Sequence, residues 1–204
     1  MTSLAHTQDR EPGSDSDALA GLLAAAARGD ESAWRAIVER YGRRVFGLAK
    51  SRCRNVDVAE EITQSVFATV ATKLGQGGYT EQGRFESWLF RVAMNRVRDE
   101  ARRTKRHAAP ADPAEVLDRL QGAASDTGPA TDRLDALRSA MGKLTASDRE
   151  VIELRHHGGL SFKQIAELLE EPFGTLLARH HRALRKLKEM MGDAGEEPGE
   201  GTNE

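Results

Sequence analysis

The segment Phe173 to Lys188 carries Arg179, Arg182, Arg185, Lys186 and Lys188 and no acid. A second basic run, Arg91 to Arg106, sets seven Lys/Arg against Asp99 and Glu100, a local +5. Cationic groups at this density recognise phosphate, and arginine also reaches guanine edges in bidentate fashion. Tyr79 and Trp88 lie ahead of the second run, and aromatic rings there suit unstacked bases, at on the order of 1–3 kcal/mol per base. A plainer reading competes in each case: solvated helix faces for the basic runs, and for Trp88 a core position with Phe85 and Leu89.

Other chemistry is poorly provided for. The pairs His156-His157 and His180-His181 invite a metal reading, but neighbouring helical residues point about 100° apart and cannot chelate one ion together. By position His180 reads as a partly buried core residue and His181 as a groove or phosphate contact. Glu60 and Glu61 are neighbours on one helix rather than facing carboxylates, and no nucleophile–base set, phosphate loop or metal cluster is found. The reading is therefore of a protein with no catalytic residues, no metal and no cofactor. Cys53 is the sole cysteine among 204 residues, which excludes an intramolecular disulfide and fits a reducing cytoplasm.

The elements that must position these residues are helical. Leu19, Leu22, Leu23 and Ala26 form one stripe; Trp34, Ile37, Val38, Tyr41, Val45 and Leu48 form a second, with Asp30 as its N-cap. Ile62, Val66, Val70 and Leu74 mark a third helix, ended by the glycines of Gly75 to Gly83. Leu89, Val92, Ala93, Val97 and Ala101 mark a fourth. After a Pro/Gly/Ala-rich stretch, 107–132, come Leu134, Leu137, Met141 and Leu144, then Val151, Ile152 and Leu154. Ser161 to Gln164 forms a capping box for a helix carrying Ile165, Leu168 and Leu169, and Pro172 opens a final helix. On that helix Leu176, His180, Ala183, Leu184 and Leu187 face inward. Gly174, Ala178, His181, Arg182 and Arg185 face outward, with Thr175 and Arg179 flanking. No period-two strand is visible, so the fold class is all-α: two small helical domains joined by a flexible linker.

The expected organisation is a disordered extension over 1–17, a helical domain over 18–106, the linker 107–132 with a transient helix near Ala114 to Leu120, a second domain over 133–191, and a disordered tail over 192–204. Six acids and no base lie between Glu189 and Glu204, so the net charge of −2 conceals two basic stripes. The apolar run Leu22 to Ala27 is too short to span a bilayer, and its acidic surroundings are unlike a signal peptide. A soluble cytoplasmic protein with no membrane insertion is expected.

Four segments carry a resemblance. AARGDESAWRAIVERYGRRVFGLA, AEEITQSVFATV, FESWLFRVAMNRVRDEARRTKR and GLSFKQIAELLEEPFGTLLARHHRAL, in that order, resemble regions 2 and 4 of the extracytoplasmic-function sigma factors of RNA polymerase. The resemblance implies that Asp57, Glu60, Glu61, Gln64 and Phe67 bind the beta-prime clamp helices of core polymerase. The loop Gly75 to Arg84, with Tyr79 and Arg84, and the helix bearing Trp88, Arg91, Asn95, Arg98 and Arg102 would capture and melt the minus-10 element. Thr175, Ala178, Arg179, His181, Arg182 and Arg185 would read the minus-35 element. The beta flap and an anti-sigma factor are further partners that the resemblance admits. The chain departs from the family pattern where Ser65 replaces a glutamate, Thr145 a proline, and Leu177 and Ala178 a lysine and a serine. The competing readings are a helix-turn-helix regulator that binds duplex DNA alone, and an adaptor that binds protein through its acidic helix and never touches DNA.

Overall fold

The computed structural model describes residues 12–53, 55–107 and 129–192. Among these, all regular structure is helical: α1 (Pro12–Ala27), α2 (Glu31–Cys53), α3 (Val56–Gly75), α4 (Phe85–His107), α5 (Pro129–Lys143), α6 (Ala146–His156), α7 (Phe162–Leu169) and α8 (Phe173–Gly192). The chain divides into two compact units, the boundary falling within α4 after Val97. Residues 1–11, most of the expected linker with Ala114 to Leu120, and the acidic tail from 193 lie outside the described residues. No helix among the described residues is long and apolar enough to cross a membrane.

Two helices begin earlier than expected. The first starts at Pro12 rather than after residue 17, and α5 starts at Pro129 rather than 133. The reason is common to both. Proline disrupts a helix interior but suits its first position, where the missing amide hydrogen would have had no partner and φ is already set.

In the amino-terminal unit the caps are local. Asp30 Oδ1 accepts from the amides of Ser32 at 2.9 Å and Ala33 at 3.0 Å, and Asn55 accepts from Val58 N at 3.2 Å. The core is Ile37, Tyr41, Val45 and Leu48 of α2, Ile62, Val66, Phe67 and Val70 of α3, and Phe85, Leu89, Phe90, Met94 and Val97 of α4, all buried. Burying such side chains contributes roughly 1.5–3 kcal/mol each. An ion pair ties α2 to α4: Arg44 meets Glu86 at 2.8 Å, its guanidinium 5.3 Å above the Tyr41 ring and 5.1 Å above that of Phe90.

In the carboxy-terminal unit Ala140, Leu144, Ile152, Ala183 and Leu187 pack together, with Met141, Met190 and Met191 against them. Leu134 and Leu137 of the expected α5 stripe are exposed, and so is Leu184 of α8; the buried seam of α5 runs through Ala140 and Leu144 instead. Thr145, where the family usually has proline, is the N-cap of α6 and accepts from Asp148 N at 3.1 Å. Arg149 closes the end of α5 by donating to the carbonyls of Met141 and Gly142, both at 2.8 Å. Between α6 and α7 the turn requires glycine at 158, since a Cβ there would lie 2.5 Å from the Leu154 carbonyl oxygen.

Candidate nucleic-acid and polymerase interfaces

The α3 to α4 connection sets the first site. Gly77, at φ +66, and Gly78 fold back on α3, their amides donating to Leu74 O at 3.1 Å and Lys73 O at 2.8 Å. This returns the chain so that Tyr79 stacks on Trp88, with ring centroids 4.5 Å apart and planes 28° apart. Phe85 supports both rings, 5.7 Å from Tyr79 and 5.8 Å from Trp88. Tyr79 donates its hydroxyl hydrogen to Glu81 at 2.7 Å, and Glu81 also accepts from the Arg84 amide at 3.1 Å. Burial, together with that carboxylate, pushes the Tyr79 phenol far above its ordinary range, so it remains a neutral donor. Trp88 is half-buried, which joins the two sequence readings: one part of the indole belongs to the aromatic cluster and the rest faces outward.

From Trp88 the spacing through Arg91, Asn95, Arg98 and Arg102 alternates three and four residues. All five therefore share one face of α4, opposite the buried Leu89, Ala93 and Val97. The four polar members are exposed, as is Arg84. Arg102 makes a surface pair with Asp99 at 3.3 Å, while Arg96, on another side, donates to Thr69 Oγ1 at 3.0 Å.

On α3, Asp57, Glu60, Glu61 and Gln64 are all exposed on one side, an acidic face suited to a protein rather than to nucleic acid. Phe67 is a correction to the expected set. It is only 6% exposed and packs edge-to-face on Trp34 at 6.2 Å, so it supports this helix from beneath instead of presenting a surface.

The second site is the α7–α8 pair. Ser161 and Gln164 form the expected capping box, Ser161 N donating to Gln164 Oε1 at 2.8 Å and Gln164 N to Ser161 Oγ at 3.2 Å. The turn after α7 passes through Glu170 in the left-handed conformation at φ 57, and the Pro172 carbonyl then accepts from Leu176 N at 3.2 Å to begin α8. Thr175, Ala178, His181, Arg182 and Arg185 are exposed on α8, as expected. Arg179 is not. Its side chain is 16% exposed and pairs with Glu171 of the turn through two contacts, at 2.9 Å and 2.6 Å. Lys186 is drawn similarly to buried Asp148 of α6 at 3.1 Å.

One contact had no signal in the sequence. His180, buried as expected, stacks on His156 with centroids 5.6 Å apart and the two Nε2 atoms 3.4 Å apart, while Phe162 meets it edge-on at 5.0 Å. Burial first, and then the charges of His156, His181 and Arg155, hold the His180 imidazolium below its ordinary pKa. Adjacent histidines were separated by helical geometry, but one from each pair is reunited across 24 residues. Among the described residues no three His, Cys, Asp or Glu side chains form a metal-binding group.

Known proteins share this arrangement. Residues 37–107 match the Sigma-70 region 2 family and residues 140–189 the Sigma-70 region 4 family. The chain is 30% identical over 167 residues to the RNA polymerase sigma factor CarQ of Myxococcus xanthus, covering 81% of this chain and 92% of CarQ. It is 31% identical over 200 residues to the ECF RNA polymerase sigma factor SigE of Mycolicibacterium smegmatis, covering 93% and 76%. The solved structure of CnrH in complex with the cytosolic domain of CnrY is similar at a TM-score of 0.64 and 26% identity, over 87% of this chain and 99% of CnrH. The two units thus define a sigma-70-type initiation factor. The chain belongs to the extracytoplasmic-function sigma factors, a non-enzymatic family that binds core RNA polymerase and directs promoter-specific transcription initiation.

Proposed function

We propose that Asp57, Glu60, Glu61 and Gln64 dock on the beta-prime clamp helices, with Phe67 and Trp34 stiffening α3 behind them. The Tyr79–Trp88 stack and the α4 face bearing Arg91, Asn95, Arg98 and Arg102, with Arg84, hold the non-template strand of the minus-10 element. Thr175, Ala178, His181, Arg182 and Arg185 read the minus-35 duplex, and Arg179 shapes the turn that presents them. The second unit meets the beta flap. The protein works in the cytoplasm without catalytic chemistry of its own. An anti-sigma protein is a further partner, since solved structures similar to this chain are complexes with anti-sigma factors.

The observation that carries this reading is the single α4 face joining an aromatic stack to three arginines opposite the core. Stacking captures an unpaired base, and the cations follow its backbone. The test is transcription in vitro with core polymerase and a pool of random promoters. Core-dependent transcripts sharing upstream motifs are expected. Motif-selective duplex binding without polymerase, and no transcripts, would instead make the protein a regulator.

A further inference from the structure

The amino-terminal half of α8 is the part of a helix-turn-helix that enters the major groove first. Through His181 it has one charged side chain, Arg179, and that one is turned inward to Glu171. What remains outward before His181 is Gly174, Thr175 and Ala178, with Leu177 half-buried beside Ala178 and Phe173 52% exposed at the helix start. Phe173 is held upright by an edge-to-face contact with Phe162, at 6.4 Å and 86°.

Exposing an aromatic ring beside a basic face is unfavourable in water unless a ligand covers it. The flanking charge of Arg182 and Arg185 selects a polyanion as that ligand. Within the major groove one apolar group is displayed by the bases, the C5-methyl of thymine, and alanine, the threonine methyl and phenylalanine are the side chains that meet it. Resting on the sigma-factor reading above, we infer that this chain recognises its upstream promoter element by apolar contact between Phe173, Leu177 and Ala178 and thymine methyl groups. Arg182, one turn beyond Ala178, fixes the register. The lysine and serine usual at 177 and 178 would instead offer hydrogen bonds to base edges.

The experiment uses the holoenzyme reconstituted from full-length protein and core polymerase. Promoters selected from the random pool are rebuilt with every thymine of the upstream element replaced by deoxyuridine, which pairs identically but lacks the methyl. Transcription is expected to fall about four-fold per methyl lost, the effect of one buried methyl-sized group. The double variant Leu177→Lys, Ala178→Ser is expected to transcribe thymine and deoxyuridine templates equally and to select G·C pairs upstream. Core-dependent transcription that is indifferent to deoxyuridine, or selected upstream elements without thymine, would overturn the inference and leave the sigma reading intact. Absence of any core-dependent transcript would overturn both.

Discussion

The basic faces of α4 and α8 have the same net charge in sequence yet use it differently. On α4 Arg98 pairs with Glu150 of α6, while the pairs of Arg102 with Asp99 and of Arg103 with Glu100 are one-turn surface contacts within the helix. Such pairs are worth roughly 0–1 kcal/mol and open readily to a competing phosphate. On α8 two of five cations reach other segments, Arg179 to Glu171 and Lys186 to Asp148. Those contacts hold the turn and the α6–α8 packing, so the charge on offer to DNA is smaller and confined to Arg182, Arg185 and Lys188. A count of charges therefore overstates the cationic contribution at the second site and leaves its specificity to shape and apolar contact.

The comparison would break first at Trp88. Trp88→Ala is expected to reduce transcription from a closed duplex roughly 5- to 150-fold, the equivalent of one lost base stack, while a template already open at the minus-10 element restores most of it. Equal loss on both templates would mean that the indole matters only to the aromatic core.

Within α8, Arg182→Ala and Arg179→Ala should diverge. The first is expected to weaken discrimination among upstream elements about ten-fold, as for one base-edge contact. The second should leave discrimination unchanged and lower unfolding stability by about 1–2 kcal/mol, because Glu171 loses a charged partner. Measuring promoter competition and denaturant midpoints for both variants separates reading from support.

The smallest effect is one of pH. His180 has a folded pKa below the ordinary 6.5, so folding favours its neutral form. The unfolded chain binds the extra proton as pH falls below about 6.5, and stability declines from there until the folded pKa is passed. Asp148, held below 3.8 because the hydrogen bonds from Lys186 and Thr145 outweigh its burial, adds its own loss only at far lower pH. The melting temperature should therefore drop between pH 7.5 and 5.5, and His180→Leu should flatten that slope.

Much of the fold was legible because its signals are local. Asp30, Ser161 with Gln164, and the glycines after Leu74 each act on amides or carbonyls within a few residues, and apolar spacing fixes which face of a helix turns inward. The same locality misled at Pro129, where a residue that breaks helices was opening one. It also misled at Leu134 and Leu137, which are exposed while Ala140 of the same helix and Leu144 just after it are buried.

The sequence by itself determined eight helices' worth of pattern, two basic stripes, an acidic face and a capping box, since each depends on contacts over one or two helical turns. Only the tertiary structure decided that Phe67 lies beneath α3, that Tyr79 lies flat on Trp88, that His156 meets His180, and that Arg179 serves the turn. The first three depend on separations of 9 to 33 residues and the last on the path of a turn. Side-chain partnership at such range follows from how helices pack, which no periodicity along the chain encodes.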